Sequence, residues 1–390
     1  MPRRPYLSSR LQGFGTTVFS EMSALAVQTG ALNLGQGFPD SDGPDEVKQA
    51  AIDAIFAGVN QYPPGPGTLD LRTAIAEHQK RFYNMSLNPA DEVLVTAGAT
   101  EALAAALLGL CETGDEVIAF DPTYDSYAAG IAMAGAVLKP VPLRPQADGT
   151  FGFDDEELRR AFTTRTRLIM LNTPHNPTGK VFTLSEMQLI AELCLERNVI
   201  AVTDEVYEHM VFDGSHIPLA GLPGMRDRTV TIGSAGKTFS FTGWKIGWAT
   251  GPAPIISAVR TAKQFLTYVN GAPFQPAVAV GLRLGDSYFD QLLVQMVAKK
   301  ELLCEKLEQA GFGVLAPQGT YFVTADISTV TTKKSLPFCM GLPEEAGVVA
   351  VPCSVFYSDD RMGQDHIRFC FAKSDAFLAE AGDRLIAAYG

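Results

Sequence analysis

The sequence lacks the cysteine patterns and long apolar runs that mark secreted, zinc-binding and membrane proteins. Its six cysteines include no CxxC pair, and no group of histidines and cysteines has the spacing of a zinc site. No run of about 18 uninterrupted apolar residues occurs. The basic segment MPRRPYLSSR at residues 1–10 is not followed by the apolar stretch of a secretory signal. We therefore expect unpaired cysteines, no metal, no membrane span and a cytoplasmic location.

Positive charge is also scarce. The chain has 31 Lys+Arg against 43 Asp+Glu, a net charge of −12, and a pI of about 4.9. This balance disfavours a nucleic acid or an acidic membrane surface as partner, although a few local cations can still hold a small anion. The 390 residues are 46% hydrophobic and 19% charged, without internal repeats or low-complexity linkers, so we expect a globular protein of more than one domain.

Strand-like and helix-like segments alternate between about residues 90 and 250. Helix-forming runs occupy 100–110 and about 183–197. The strand-like runs are 92–98, 115–122, 167–174, 199–207, 229–237 and 245–252. Because several of these runs are apolar on both faces, they predict a mostly parallel sheet covered by helices.

The pattern changes after about residue 274. A long helical run at 288–311 precedes a strand-rich tail that contains TYFVTAD and HIRFCFA. We predict an α/β fold with a large domain over 46–275 and a smaller α+β domain over 276–390. The N-terminal segment, 1–45, is expected to join the smaller domain.

Two lysines follow one of the predicted strands. Lys237 stands in SAGKTF and Lys245 in TGWKIG, with Ser234 three residues before the first. A lone lysine beside glycines is typical of a solvated turn. Here, however, one amine that can form a Schiff base stands near a hydroxyl and near a second cation that can hold a phosphate.

A carboxylate ends another predicted strand. Asp204 closes VIAVTD, where an unpaired charge is costly, and Tyr207 follows three residues later. Asp204 fits a helix N-cap, a structural ion pair, or a carboxylate that keeps a heterocyclic nitrogen protonated. The combination of Asp204 and Tyr207 with Lys237 some thirty residues later is more specific than any one of them.

Two further motifs follow predicted strands. NTPHNPTGK at 172–180 has the composition of a turn, but Asn176 in it can also serve as a fixed amide donor. AGATEAL at 97–103 is a strand-to-helix turn, and the first N–H groups of its helix form a possible anion site.

Together these motifs resemble those of the fold type I, pyridoxal-phosphate-dependent aminotransferases of class I/II. The likeness covers nearly the whole chain. Eight motifs occur in the family's order: NLGQGFPD (33–40), NQYPPGPG (60–67), AGAT, DPTYDSY (121–127), NTPHNPTG, TDEVY, SAGKTFSFTGWKIGW and HIRFCF (366–371). The resemblance implies an aspartate-aminotransferase-like fold, with a seven-stranded type of sheet in the large domain. Within the family, the chain is most similar to the actinobacterial N-succinyldiaminopimelate aminotransferases.

The resemblance implies how pyridoxal 5′-phosphate would be held. Lys237 would bind it as a Schiff base and later move a proton, and Asp204 would pair with its ring nitrogen. Tyr207 and Asn176 would donate hydrogen bonds to the ring O3′. Tyr124 would stack on the ring, unless it is a packing aromatic. The phosphate would be held by Ala99, Thr100, Ser234 and Lys245.

The resemblance also implies a substrate site and a dimer. Arg368 would bind the substrate α-carboxylate, with help from Asn172 and the backbone of Gly37. Tyr62 would reach the phosphate in the partner subunit, which implies a homodimer with composite sites; otherwise it is a turn tyrosine. Further candidates for the substrate pocket are Phe19, Tyr127 and Asn270.

Two departures from the family's pattern bear on the cofactor phosphate and on the substrate. Lys245 stands where many relatives have arginine, so the phosphate would meet a point charge instead of a fork. Asn270-Gly271 replaces the aromatic-histidine pair of the kynurenine-type enzymes, which favours a longer or more polar substrate than kynurenine.

The function implied is a ping-pong aminotransferase that moves an amino group from an L-amino acid to a 2-oxo acid. The implied pair is N-succinyl-LL-2,6-diaminopimelate and 2-oxoglutarate, a step towards lysine. Alternatives that the same residues allow are a methionine, glutamine or aromatic (kynurenine-type) aminotransferase and a cysteine-S-conjugate β-lyase. A cofactor-sensing regulator is disfavoured, because the chain has no added DNA-binding module and is acidic.

Overall fold

A seven-stranded sheet lies at the centre of the computed structural model, which describes residues 4–390. The strands in that range are β1 (Leu32–Asn33), β2 (Val93–Thr96), β3 (Glu116–Asp121), β4 (Val137–Pro142), β5 (Arg144–Pro145), β6 (Phe151–Gly152), β7 (Thr166–Asn172), β8 (Ile200–Asp204), β9 (Thr229–Ser234), β10 (Gly247–Thr250), β11 (Gly313–Leu315), β12 (Phe322–Asp326), β13 (Val348–Val349), β14 (Val351–Pro352) and β15 (His366–Cys370). The central sheet has the order β2-β10-β9-β8-β7-β3-β4. Its neighbours pair in parallel, except that β10 is antiparallel to both β2 and β9. The prediction of a mostly parallel seven-stranded sheet is confirmed.

Helices cover both faces of this sheet. Those described are α1 (Val18–Thr29), α2 (Asp45–Phe56), α3 (Leu69–Tyr83), α4 (Gly98–Leu110), α5 (Asp125–Met133), α6 (Asp155–Ala161), α7 (Leu184–Arg197), α8 (Ala235–Thr238), α9 (Ala253–Lys263), α10 (Phe274–Leu282), α11 (Asp286–Gln309), α12 (Ser335–Glu345) and α13 (Asp375–Tyr389). Helix α7 begins at a capping box formed by Thr183 and Glu186, and it ends at Asn198 in the left-handed conformation. Within residues 4–390, no helix is both long and apolar enough to cross a bilayer.

The apolar strands explain why helices lie on both faces. Alternate residues of β3 and β7 point in opposite directions. Ile118 and Ile169 pack into the core on one face, and Val117 and Leu168 pack into the core on the other. All four side chains are fully buried, so neither face of these central strands meets solvent.

The pairing of strands gathers the predicted site at one edge of the sheet. Parallel strands place their carboxyl ends together, and Asn172 at the end of β7 pairs with Asp204 at the end of β8. Strand β10 is antiparallel, so its amino end lies at this same edge, where Gly247 pairs with Ser234. This reversal brings Lys245, just before β10, to the carboxyl ends of the other strands.

A smaller antiparallel sheet carries Arg368. Its order is β11-β12-β15-β14, and Arg368 on β15 pairs with Thr324 and Val351. The N-terminal segment joins this part of the chain, because β1 pairs with β13 and the Asp40 N–H donates to the Ala372 carbonyl. The expected boundary between 275 and 276 lies inside α10, which packs against α2 and α3. The division into domains therefore remains a prediction.

Candidate active site

A cavity of about 350 Å³ opens at the carboxyl edge of the central sheet. It is lined by residues from both sheets and from the N-terminal segment. Those that the sequence analysis singled out are Phe19, Gly37, Ala99, Thr100, Tyr124, Tyr127, Asn172, Asn176, Asp204, Tyr207, Ser234, Lys237, Lys245 and Arg368. The fold thus brings together residues that lie up to about 350 positions apart in the chain.

Lys237 lies in the short helix α8, directly after β9. Its Nζ is 3.4 Å from the Gly37 carbonyl oxygen and lies over the rings of Tyr207 and Tyr321, at 5.8 and 5.6 Å from their centroids. Burial in the cavity lowers the pKa of this amine to about 8. A substantial fraction of the amine is therefore unprotonated and nucleophilic near neutral pH.

Asp204 is a buried carboxylate with one oxygen bonded and the other free. Tyr127 Oη donates to Asp204 Oδ2 at 2.6 Å. Asp204 Oδ1 is buried and has no hydrogen-bond partner among residues 4–390. Burial raises the pKa of this carboxyl, and the Tyr127 hydrogen bond opposes that rise. The free oxygen at the cavity wall needs a protonated partner.

One end of the cavity is suited to a phosphate. Helix α4 begins at Gly98, and its first N–H groups have no partner within the helix. Gly98 has φ +72°, and a Cβ there would lie 3.2 Å from Lys245 Nζ. Ser234 and Lys245 line the same cavity. A helix N-terminus, a hydroxyl and an ammonium group together form a site for a doubly charged anion.

Arg368 is buried, with 1% of its surface exposed, so it is not a surface ion pair. Its Nη1 donates to Asn176 Oδ1 at 2.8 Å, and its Nη2 donates to the Gly35 carbonyl at 2.9 Å. The guanidinium lies 3.9 Å from the ring centroid of Phe322 and 5.2 Å from that of Phe19. Arg368 Nε is buried without an acceptor in the described part of the chain. This cation is held in place by aromatic rings and retains capacity for an anionic ligand.

Two predicted site residues, Tyr62 and Asn270, do not line the cavity. Tyr62 is 82% exposed and lies 5.6 Å from Tyr268, outside the cavity. The Asn270 amide donates to the carbonyls of Thr96 and Lys245, both at 3.1 Å. These bonds fix the backbone beside the end of the cavity that is suited to a phosphate.

The amide of Asn172 is engaged within the protein. Its Nδ2 donates to the Asp204 carbonyl at 2.8 Å, and its Oδ1 accepts from the Asn176 N–H at 2.7 Å. These bonds fix the two strand ends relative to each other. It is Asn176 that contacts Arg368.

The structure also adds residues that the sequence analysis did not single out. Tyr321 Oη donates to the Gly37 carbonyl at 2.6 Å, which holds that carbonyl beside Lys237. Gln36, Thr242 and Phe322 line the cavity. Gln36 lies in the quoted NLGQGFPD motif and Phe322 in the strand-like TYFVTAD, so a sequence signal existed, but nothing in it indicated a side chain pointing to the site.

Comparison with known proteins agrees with this geometry. The family described as aminotransferase class I and II matches residues 29–385. A probable N-succinyldiaminopimelate aminotransferase of Mycobacterium tuberculosis is 52% identical over 97% of both chains. The methionine aminotransferase of Escherichia coli is 40% identical over 97% of both chains. A kynurenine–oxoglutarate transaminase of Dictyostelium discoideum is 40% identical over 97% of this chain and 95% of its own.

Solved structures of aminotransferases are also similar to this chain. The structure of the N-succinyldiaminopimelate aminotransferase from Mycobacterium tuberculosis superposes with a TM-score of 0.96, at 51% identity, over 98% of this chain and 100% of the other. The aspartate-aminotransferase-like architecture predicted from the motifs is thereby confirmed. The chain belongs to the class I and II aminotransferases and is a pyridoxal-phosphate-dependent enzyme of that family.

Proposed function

We propose that this enzyme transfers the amino group of N-succinyl-LL-2,6-diaminopimelate to 2-oxoglutarate. Lys237 and Arg368 in one cavity support transamination of an α-amino acid, since one supplies an amine and the other an α-carboxylate site. The substrate rests on the 52% identity to the mycobacterial relative, against 40% for the methionine and kynurenine relatives. A cytoplasmic location is part of this proposal, because the six cysteines, all within residues 4–390, are unpaired.

The cavity fits pyridoxal phosphate group by group. The unpartnered Asp204 Oδ1 would accept from the protonated ring nitrogen, and the end of the cavity formed around Gly98 and Lys245 would hold the phosphate. When bound, the cofactor supplies an electron-accepting ring that stabilises negative charge at the substrate Cα. The residues that would contact it are Ala99, Thr100, Tyr124, Asn176, Asp204, Tyr207, Ser234, Lys237 and Lys245.

The chain's own residues would then orient the amino acid and move its proton. Arg368 would bind the α-carboxylate through two N–H groups, while Asn176 and Phe322 keep the guanidinium in one orientation. Lys237 Nζ would take the proton from the substrate Cα and donate it again in the later step of the same half-reaction. Its pKa of about 8 suits a proton carrier near neutral pH. The Gly37 carbonyl holds the amine on the substrate side.

Replacing Tyr127 by phenylalanine tests the position of Asp204. The change removes the donor to Asp204 Oδ2 and leaves a buried carboxylate without that bond, which raises its pKa further. We expect the affinity for pyridoxal phosphate to fall roughly tenfold, the size of a lost hydrogen bond to a charged group. Fluorescence titration of the apoenzyme measures it.

Tyr357→Phe is the matched control for Tyr127→Phe. Tyr357 is partly buried and donates to a backbone carbonyl, that of Leu143 at 3.2 Å, outside the cavity. Its loss should leave cofactor affinity within about twofold of the wild type. Equal affinities for wild type and Tyr127→Phe would contradict the proposed pairing of Asp204 with the ring nitrogen.

We further propose that the enzyme is a homodimer in which Tyr62 contacts the phosphate in the partner subunit. Tyr62 and Tyr268 are 82% and 56% exposed, and their rings lie 5.6 Å apart, so they form an exposed aromatic pair that a partner subunit can cover. Sedimentation should give a mass twice the 41.9 kDa of one chain. Tyr62→Phe should weaken cofactor binding roughly tenfold without dissociating the dimer. A monomer with full cofactor affinity would contradict this assignment.

The substrate is tested by titrating the holoenzyme with single amino donors in the absence of any 2-oxo acid. The visible absorbance of the cofactor should convert at the lowest concentration with N-succinyl-LL-2,6-diaminopimelate. Glutamate should convert it too, because the second half-reaction runs in reverse. Conversion at lower concentrations by methionine or kynurenine would move the assignment to those relatives. Release of a thiol from a cysteine conjugate would instead indicate β-elimination.

A further inference from the structure

A second buried polar cluster lies behind the turn that carries Asp204 and Tyr207. Those two side chains face the cavity, while Glu208 and His209 lie next to His78 of helix α3. Within residues 4–390, these three residues are the one group whose side chains have metal-ligand geometry. His78 and His209 are 131 positions apart, so spacing along the sequence does not reveal them.

The donor atoms of this cluster converge on one point. His78 Nε2 and His209 Nε2 are 2.8 Å apart and share a hydrogen bond, which a bound ion would replace. One carboxylate oxygen of Glu208 completes the group, and all three donor atoms lie within 4.8 Å of one another. His78 is 2% exposed and Glu208 is 8% exposed. The rings of Phe82 and Phe289 lie 4.7 and 4.5 Å from that of His209, so aromatic rings cover one side of the cluster.

Several buried polar atoms in the cluster and beside Glu208 have no hydrogen-bond partner in the part of the chain that the structure describes. They are Gln79 Oε1, Glu205 Oε1, Glu208 Oε2 and His216 Nδ1. Buried polar atoms are nearly always satisfied, so this concentration indicates a missing ligand. Three of the four are oxygens that only accept, so they can be satisfied by a cation or by a hydrogen-bond donor, but not by an anion.

The charges of the cluster lead to the same conclusion. Glu205 is paired with His216, whose Nε2 is 2.7 Å from Glu205 Oε2. The nearest arginine, Arg81, is paired with Asp286. Glu208 has only neutral hydrogen-bond partners and no ion pair within residues 4–390, so no cationic side chain occupies its carboxylate.

We propose that His78, His209 and Glu208 bind a Zn²⁺ ion. Two imidazole nitrogens and one carboxylate oxygen are a ligand set that zinc prefers, and they leave a fourth position for water. Tetrahedral Zn–N bonds of about 2.0–2.1 Å place the two nitrogens about 3.3 Å apart, so the imidazoles need to separate by roughly 0.5 Å. The orphaned oxygens of Gln79 and Glu205 are available as outer hydrogen-bond acceptors.

The ion would be structural, with an indirect effect on the active site. It would tie helix α3 to the turn after β8, whose opposite face presents Asp204 and Tyr207. No proton or electron transfer is assigned to it. The proposal does not depend on the substrate, and it holds for any reaction that the cavity supports.

The test is the zinc content and zinc coordination of the tag-free holoenzyme from zinc-supplemented cells. Plasma mass spectrometry should give one zinc per chain after gel filtration. X-ray absorption at the zinc edge should show nitrogen and oxygen ligands only. Less than about 0.1 zinc per chain, even after incubation with excess ZnCl₂, overturns the proposal. So does sulfur in the coordination shell, because it would place the ion on one of the cysteines.

The zinc content of variants at the proposed ligands tests where the ion binds. His78→Gln and Glu208→Gln should each lower the zinc content at least tenfold. His366→Gln is the matched control, since it removes a histidine outside the cluster and should keep one zinc per chain. A folded His78→Gln protein with a full complement of zinc overturns the assignment. Should the variants fail to fold, the wild type decides: dipicolinate should lower its melting temperature, ZnCl₂ should restore it, and no change in either step overturns the proposal.

Discussion

Replacing Lys237 by alanine is expected to lower turnover of every amino acid substrate by about 10³-fold or more. The variant loses both the covalent attachment of the cofactor and the only amine placed to move the substrate Cα proton in the described cavity. Steady-state assays with coupled detection of the 2-oxo acid product measure the loss. Borohydride reduction followed by peptide mapping should place the cofactor on the Lys237 peptide in the wild type.

Lys80→Ala is the control for this experiment, because Lys80 is exposed on helix α3 and donates to Asn84. It should retain turnover and the modified Lys237 peptide. Wild-type turnover in Lys237→Ala, or cofactor mapped to another lysine, would show that the amine is wrongly assigned.

The pKa of Lys237 adds a pH dependence to this prediction. Cofactor capture by the apoenzyme needs the unprotonated amine, and burial lowers the pKa of that amine to about 8. The capture rate should therefore rise about tenfold per pH unit below 8 and level off above it. With an unperturbed lysine, the capture rate would keep rising up to about pH 10.4. Stopped-flow absorbance distinguishes the two curves, and a rise that continues past pH 9.5 would contradict the burial effect.

The lowered pKa of Lys237 also determines how the stability of the apoenzyme changes with pH. Between about pH 8 and 10.5, the ordinary pKa of a lysine, the unfolded chain holds a proton on Lys237 that the folded chain does not. Because the unfolded state binds more protons in that window, the contribution of Lys237 to apoenzyme stability rises with pH there. Below about pH 8, both states hold the proton and the contribution is constant and unfavourable.

Replacing Arg368 by lysine is expected to lower kcat/KM for amino acids by about 10²- to 10³-fold. A lysine keeps the charge but loses the two-pronged geometry, and it leaves Asn176 Oδ1 and the Gly35 carbonyl without their donors. Most of the loss should appear in KM, because the α-carboxylate is bound in both the ground state and the transition state. The cofactor absorbance should remain, since Arg368 is not assigned to cofactor binding.

Arg361→Lys is the matched control. Arg361 is paired with Asp359 on the surface, where its side chain is 85% exposed. It should leave KM and kcat unchanged within about twofold, as expected for a surface pair. An unaltered KM in Arg368→Lys would show that the α-carboxylate is bound elsewhere.

Much of the central sheet was predictable from local sequence. The runs that became β3, β7, β8 and β9 are rich in buried apolar residues, and each ends in a polar residue at the site edge. Strand β4, by contrast, is an edge strand with two prolines and only one buried residue, which explains why no apolar run marked it.

Within the site, residues on strand ends and turns were easier to predict than their partners. Asp204 was found because a charge at the end of an apolar strand is unusual, and Lys237 because a hydroxyl and a second cation stand near it, whereas Arg368 was implied by the family resemblance. Tyr127 was taken as a candidate for the substrate pocket, but its hydroxyl bonds to Asp204, 77 positions away. Asn172 and Asn176 are both asparagines in one turn, and only their hydrogen bonds show which of them faces Arg368.

By itself, then, the sequence determined the family, the parallel sheet and the residues on which the chemistry is proposed to depend. Periodicity and motif spacing are local, and these features are written in short segments. Tertiary structure decided which side chains meet: the reversed strand that brings Lys245 to the phosphate end, the aromatic rings around Arg368, and the convergence of His78 with Glu208 and His209. Such contacts join residues from separate elements of the chain, and their distances follow from the packing of whole helices and sheets, to which no local pattern refers.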